Sequence, residues 1–109
     1  MDLSDLSAAL RNELDSKTLA RERGLAGSRA TIRACSDAIR AMHREEFETA
    51  DSLLRQAKSD LGESRAALEG HPDMRYAGFL HDAEKEVAEA LITLALVRGE
   101  ELPSREEDR

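Results

Sequence analysis

Heptad spacing of apolar residues is the feature that most constrains what this chain can fold into. Large apolar side chains recur every seven positions at Leu25, Ile32 and Ile39. The positions between them complete an a/d pattern with Ser28, Cys35 and Met42. A later segment keeps the same register with Phe47, Ala50, Leu54, Ala57, Leu61 and Leu68. Because a and d positions pack against a neighbouring helix, the pattern predicts an all-α, antiparallel bundle of long helices.

Helix-breaking residues divide the chain into three predicted helices within one domain, residues 1–109. The helices are expected at about residues 3–42, 45–69 and 74–98, with a polar tail at 100–109. Gly70 and Pro72 separate the second from the third, and Gly99 ends the third. Gly24 and Gly27 interrupt the first helix, where they indicate a kink, a break or a close contact with another helix.

The third predicted helix is apolar nearly all round in its second half, ALITLALV. The residues expected to face a core are Phe79, Ala83, Val87, Ala90, Leu94 and Val97. A helix that is apolar on every side needs cover on every side, and two neighbours do not supply it. We therefore expect further helices from self-association, giving an oligomer, or from a part of the protein that this chain lacks.

Composition restricts the function classes. The chain carries a net charge of −7, but residues 1–16 hold −3, residues 17–44 hold +5 and residues 45–109 hold −9. The negative net charge disfavours a nucleic-acid-binding protein, whereas the positive charge of residues 17–44 favours nucleic-acid binding by that segment. One cysteine excludes an internal disulfide. The sequence has no apolar run of transmembrane length and does not begin like a secretory signal, so the prediction is a cytoplasmic protein away from the membrane.

Four arginines form a stripe along the first helix. Arg29, Arg33, Arg40 and Arg44 fall in a sector about 60° wide, which we expect to border the apolar a/d positions. Guanidinium groups in a row can contact successive phosphates of a nucleic acid. The alternative is a solvated face, or salt bridges to acidic residues of the second helix. Those candidates are Glu45, Glu48, Asp51 and Asp60.

Three carboxylates lie along one edge of the third helix. Asp82, Glu86 and Glu89 share a narrow sector, with Glu86 closest to the predicted core. Converging carboxylates bind hard divalent cations such as Mg²⁺, which activate water and stabilise charge on a phosphodiester. The alternative is a structural carboxylate pair bonded to Arg29 or Arg33.

Two segments resemble the archaeal branch of the translin family. They are SRATIRACSDAIRAMHREEFETADSLLRQA and YAGFLHDAEKEVAEA with its apolar run and GEELPS. The resemblance covers roughly residues 21–104 and matches the N-terminal half of family members. It implies one long first helix, a helical oligomer and binding of single-stranded RNA or DNA inside a closed shell. Translin-associated factor X is an Mg²⁺-dependent endoribonuclease subunit of that family, and the resemblance implies that Glu86 and Glu89 match its acidic segment.

Three functions follow as expectations. The resemblance and the arginine stripe predict a single-stranded RNA-binding protein, with possible DNA binding, in a homo-oligomer or with a translin-like partner. Glu86 and Glu89 suggest the Mg²⁺-dependent endoribonuclease instead. The remaining family acids come from a later stretch that resembles Asp-Leu-x-Gly-Glu, which this chain lacks, so catalysis by the chain alone is not favoured. Overall acidity and the two heptad patterns favour a helical protein–protein interaction module with no nucleic-acid role.

Overall fold

Three helices in sequence order make up the chain in a computed structural model, which describes residues 2–74 and 77–99. Helix α1 is Leu3–His43, α2 is Phe47–Leu68 and α3 is Gly78–Arg98. The described residues contain no strand, so the fold is all-α, and they form a rod with extents of 66 × 23 × 17 Å. The predicted tail at 100–109 lies outside the described residues. No helix among them is long and apolar enough to cross a membrane.

The turn between α1 and α2 is fixed by one residue in the left-handed region. Glu45 has a φ of 60°. Its amide donates to the carbonyl of Met42 at 3.0 Å, and the Glu46 amide donates to the carbonyl of Ala41 at 2.9 Å. These two bonds satisfy carbonyls that the end of α1 would leave unpaired. The chain therefore reverses within three residues and α2 runs antiparallel to α1.

The segment between α2 and α3 is longer than the sequence pattern predicts. Residues Pro72–Met74 form a 3₁₀ turn, and α3 begins at Gly78 instead of at Met74. Lys17 of α1 holds this turn through a salt bridge of 3.2 Å to Asp73. The hydrogen bond from Lys17 keeps the pKa of the Asp73 carboxyl below its ordinary value.

Small residues set the distance between α1 and α2. A Cβ added at Gly27 would lie 3.0 Å from the Ser64 Cβ and 3.1 Å from the backbone oxygen of Asp60. A Cβ at Gly24 would lie 3.0 Å from a methyl carbon of Leu68. Because α1 is one continuous helix through both positions, these glycines mark a close helix contact and neither a kink nor a break.

The buried face of α1 is displaced from the predicted a/d positions. Ser28, Cys35 and Met42 are buried as expected. Leu25, Ile32 and Ile39 are instead half-buried at the margin of the core. The core is instead formed on this helix by smaller buried residues: Ala20, Gly24, Thr31, Ala34, Ala38 and Ala41. Larger side chains at those positions would not permit the short α1–α2 distance.

Helix α3 packs across α1 and α2 and is held at both ends. Arg65 of α2 pairs with Glu84 at 2.8 Å. Arg98 pairs with Asp51 at 2.8 Å and lies 5.1 Å from the centre of the Phe47 ring.

Within the described residues, α1 and α2 leave part of the second half of α3 uncovered, as the sequence pattern predicts for two neighbouring helices, and its cover by further helices stays a prediction. Val97 was expected in the core and is 45% exposed, and Ile92 and Leu96 are exposed as well. Helices α1 and α2 cover one face of α3, which holds Ala83, Val87, Ala90 and Leu94. The opposite face therefore stays open in a single chain.

Candidate nucleic-acid interface

The four stripe arginines are all exposed, Arg29, Arg33 and Arg40 on α1 and Arg44 at the C-cap of that helix. At 100° per residue their sector is centred about 180° from the buried residues Gly24, Cys35 and Met42. The stripe thus faces away from the core, whereas the sequence pattern placed it beside the core. The reason is the displacement of the buried face toward the small residues of α1. An outward stripe is fully open to a ligand.

Two of the arginines have no partner within the part of the chain that the structure describes. Among residues 2–74 and 77–99, neither Arg29 nor Arg33 makes a hydrogen bond, an ion pair or a ring contact. They are one helical turn apart, about 6 Å along the axis. In particular, neither bonds to Asp82, Glu86 or Glu89, so the structural pairing considered for those carboxylates is not formed. Their guanidinium groups are free to fork onto anionic oxygens.

The other two arginines are already paired. Arg40 lies 3.1 Å from Asp37, three residues earlier on α1. Arg44 lies 2.9 Å from Glu46, which the left-handed turn at Glu45 places beside it. All four of these side chains are about half exposed or more, so water screens both pairs.

The expectation of salt bridges from the stripe to α2 holds for none of the four acids considered. Asp51 pairs with Arg98, and Asp60 accepts a hydrogen bond from Gln56 at 3.0 Å. The carboxylates that do pair with the stripe, Asp37 and Glu46, were missed. The i, i+3 spacing of Asp37 and Arg40 is a signal that sequence reasoning could have used.

The carboxylates of α3 line one edge of that helix. Glu86 is half-buried and closest to the core, while Asp82 and Glu89 are exposed. Glu89 has a salt bridge of 4.0 Å to Lys85. Within the described residues, no group of three or more His, Cys, Asp or Glu side chains is arranged to hold a metal ion. Mg²⁺ binding by Asp82, Glu86 and Glu89 stays a prediction.

Glu86 has one neighbour of chemical interest, the buried thiol of Cys35. Burial raises the pKa of Cys35 to about 11, and the negative charge of Glu86 adds to the rise. A thiol with so high a pKa stays protonated at neutral pH and is a poor nucleophile. The cysteine is therefore core filling, as its place in the heptad pattern predicts.

Comparison with known proteins adds no relative: no family model, no curated protein and no solved structure matches the chain. Membership of the translin family therefore stays a prediction from the sequence.

Proposed function

We propose that the chain binds single-stranded nucleic acid, RNA in the first place and DNA as well, through the arginine stripe of α1. The observation that carries the proposal is the pair Arg29 and Arg33, both exposed and both without a protein partner among the described residues. Unpaired guanidinium groups one turn apart on a rigid helix suit consecutive phosphates of a flexible strand.

The stripe is a local basic surface on an acidic molecule. Residues 17–44 hold a charge of +5 in a chain of −7. A basic surface of this kind attracts phosphate, while acidic surfaces elsewhere repel it and confine the strand to one face. The resemblance to the translin family supports the same assignment, since it implies binding of single strands by an oligomer.

Arg40 and Arg44 can extend the contact. Exposed ion pairs such as those with Asp37 and Glu46 are weak, on the order of 0–1 kcal/mol. A phosphate must still displace a carboxylate to bind at Arg40 or Arg44, so these two arginines add less to the affinity than Arg29 and Arg33 do. The stripe from Arg29 to Arg44 is about 22 Å long, so it offers up to four phosphate contacts along one face.

The test is retention of an end-labelled single-stranded RNA, measured over a range of salt concentrations with the R29E/R33E variant. We expect the variant to lose retention, and the wild-type affinity to fall with salt as counterions are released. The matched control is R55E/K58E. Arg55 and Lys58 are exposed and unpaired among the described residues, and their reversal changes the net charge equally. Equal loss in both variants would attribute retention to net charge and contradict the proposal.

The same RNA tests the endoribonuclease alternative. Products that require Mg²⁺, disappear with EDTA and disappear in E86Q/E89Q would support catalysis at the α3 carboxylates. Intact RNA with a gel shift would leave binding without cleavage.

A helical interaction module is the second candidate function, and a separate observation favours it. Leucines at the start of α1 lie exposed on one side of the helix, namely Leu3, Leu6, Leu10 and Leu14. A row of exposed leucines is typical of a surface that another helix covers.

A further inference from the structure

Helix α1 extends well beyond the bundle at its N-terminal end. Residues 2–16 are all exposed, and Ala20 is the first buried residue of α1. With 41 residues α1 is nearly twice as long as α2, which has 22. We call residues 3–16 the overhang. All of its side chains are exposed, so its apolar side chains face solvent in a single chain.

The overhang carries a defined apolar face. Leu3, Leu6, Leu10 and Leu14 fall in a sector about 80° wide. That sector is on the same side of α1 as the buried Gly24 and Ser28. The core-facing side of the helix thus continues past the bundle as a row of leucines, of which Leu3 is 84% and Leu14 is 64% exposed. The row spans three turns, which matches the i, i+3, i+7 anchors of a helix-against-helix contact.

Charge determines which helix fits this face. Residues 1–16 hold four acids, Asp2, Asp5, Glu13 and Asp15, against the single base Arg11, a charge of −3. A second copy would place −3 against −3, which is unfavourable for either helix direction. We propose that the overhang docks an amphipathic helix of another protein, about three turns long, whose apolar row is flanked by lysines and arginines. This inference deepens the second candidate function and is independent of nucleic-acid binding.

The probe is a fluorescent 14-residue helical peptide of leucine and lysine, titrated with the full chain and followed by anisotropy. A peptide with the same leucine pattern and glutamate in place of lysine is the control ligand. We expect saturable 1:1 binding of the lysine peptide and binding at least about tenfold weaker for the glutamate peptide.

Variants separate the leucine face from general acidity. L6A/L10A keeps the charge and removes two exposed leucines, so the core is untouched and the chain stays folded. We expect it to lower the affinity for the lysine peptide at least about tenfold. N12A, on the opposite side of the overhang, is the matched control and should leave the affinity unchanged.

Three results would overturn the inference. The lysine peptide could fail to bind, or it could bind L6A/L10A as tightly as the wild type, in which case net charge alone attracts it. Sedimentation velocity could also show a dimer that L6A/L10A abolishes, which would place a second copy on this face. RNA binding by L6A/L10A is measured separately, because this variant keeps the arginine stripe intact. The docking proposal and the RNA-binding proposal are therefore tested by different measurements.

Discussion

The hydroxyl oxygens of Ser28 and Ser64 lie 2.8 Å apart inside the contact between α1 and α2. Ser64 also donates a hydrogen bond of 2.6 Å to the carbonyl of Gly24. Since a hydroxyl has one proton, Ser28 must be the donor to Ser64. A buried polar chain of Ser28, Ser64 and Gly24 therefore joins two helices at residues 40 positions apart in sequence.

This direction of donation predicts unequal costs for the two serines. Ser64→Ala removes the acceptor of the Ser28 proton in a buried site, and we expect it to lower the free energy of unfolding by about 1–2 kcal/mol. Ser28→Ala leaves the bond from Ser64 to Gly24 intact and should cost less than about 1 kcal/mol. Urea unfolding of both single variants and the double variant measures the difference. A larger cost for Ser28→Ala would reverse the assigned donor.

Two glycines give opposite predictions for the same substitution. Gly27→Ala places its Cβ 3.1 Å from both Asp60 O and Ser64 N, which are backbone atoms of α2. The helices must separate, so we expect a net loss of stability of about 1–2 kcal/mol despite the better helix propensity of alanine. Gly62→Ala meets nothing within 4 Å on the exposed side of α2. This substitution should raise the free energy of unfolding by about 0.5–1 kcal/mol. Thermal unfolding of the two variants therefore tests whether the close helix contact or the helix propensity of alanine has the larger effect.

The sequence pattern predicts the helices better than it predicts which side of α1 is buried. The heptad pattern predicts that large apolar residues such as Ile32 and Ile39 face the core. The close approach of two backbones is instead decided by the absence of side-chain volume at Gly24 and Gly27, and this shifts the core toward Ala38. The register of packing thus depends on tertiary fit, which periodicity alone does not contain.

The arginine stripe illustrates a second limit. The common face of Arg29, Arg33, Arg40 and Arg44 follows from helix geometry and is present in the structure. The partner of Arg44 does not follow from it. Glu46 reaches Arg44 because Glu45 adopts a left-handed backbone conformation. A glutamate seldom adopts this conformation, so the sequence does not predict it.

The thiol of Cys35 predicts a loss of stability at high pH. Its pKa is raised from its ordinary value of 9.0 to about 11 in the folded chain, chiefly by burial and further by Glu86. Between these values the unfolded chain has released the thiol proton and the folded chain has kept it. Stability therefore falls as pH rises, by about 1.4 kcal/mol per pH unit from this group.

The measurement compares wild type with Cys35→Ala in urea at pH 8, 9 and 10. Both chains share every other titrating group, so the difference between them isolates the thiol. We expect the free energy of unfolding of the wild type to fall relative to the variant above pH 9. Parallel curves would show that the thiol titrates alike in both states.

The carboxylates Asp37 and Glu46 predict how strongly the stripe binds. Each occupies one arginine of the stripe, at 3.1 Å from Arg40 and 2.9 Å from Arg44, and so competes with phosphate. In the wild type we expect two phosphate contacts, at Arg29 and Arg33, to supply most of the binding. Two contacts give a slope of log Kobs against log[salt] of about −1.4 for a single strand. The D37N/E46Q variant frees all four arginines, so its slope should steepen to about −2.8 and its affinity for RNA should rise.

The control for this variant is E63Q/E69Q, which changes the net charge by the same two units, at one residue of α2 and at the residue that follows that helix. Both glutamates are exposed and far along the chain from the stripe. Exposed ion pairs contribute at most about 1 kcal/mol, so D37N/E46Q should unfold at nearly the wild-type urea concentration. A slope that is already near −2.8 in the wild type would mean that phosphate displaces both carboxylates unaided. An equal gain in RNA affinity for E63Q/E69Q would instead assign the effect to the net charge of the chain. That result would contradict the claim that Asp37 and Glu46 compete with phosphate.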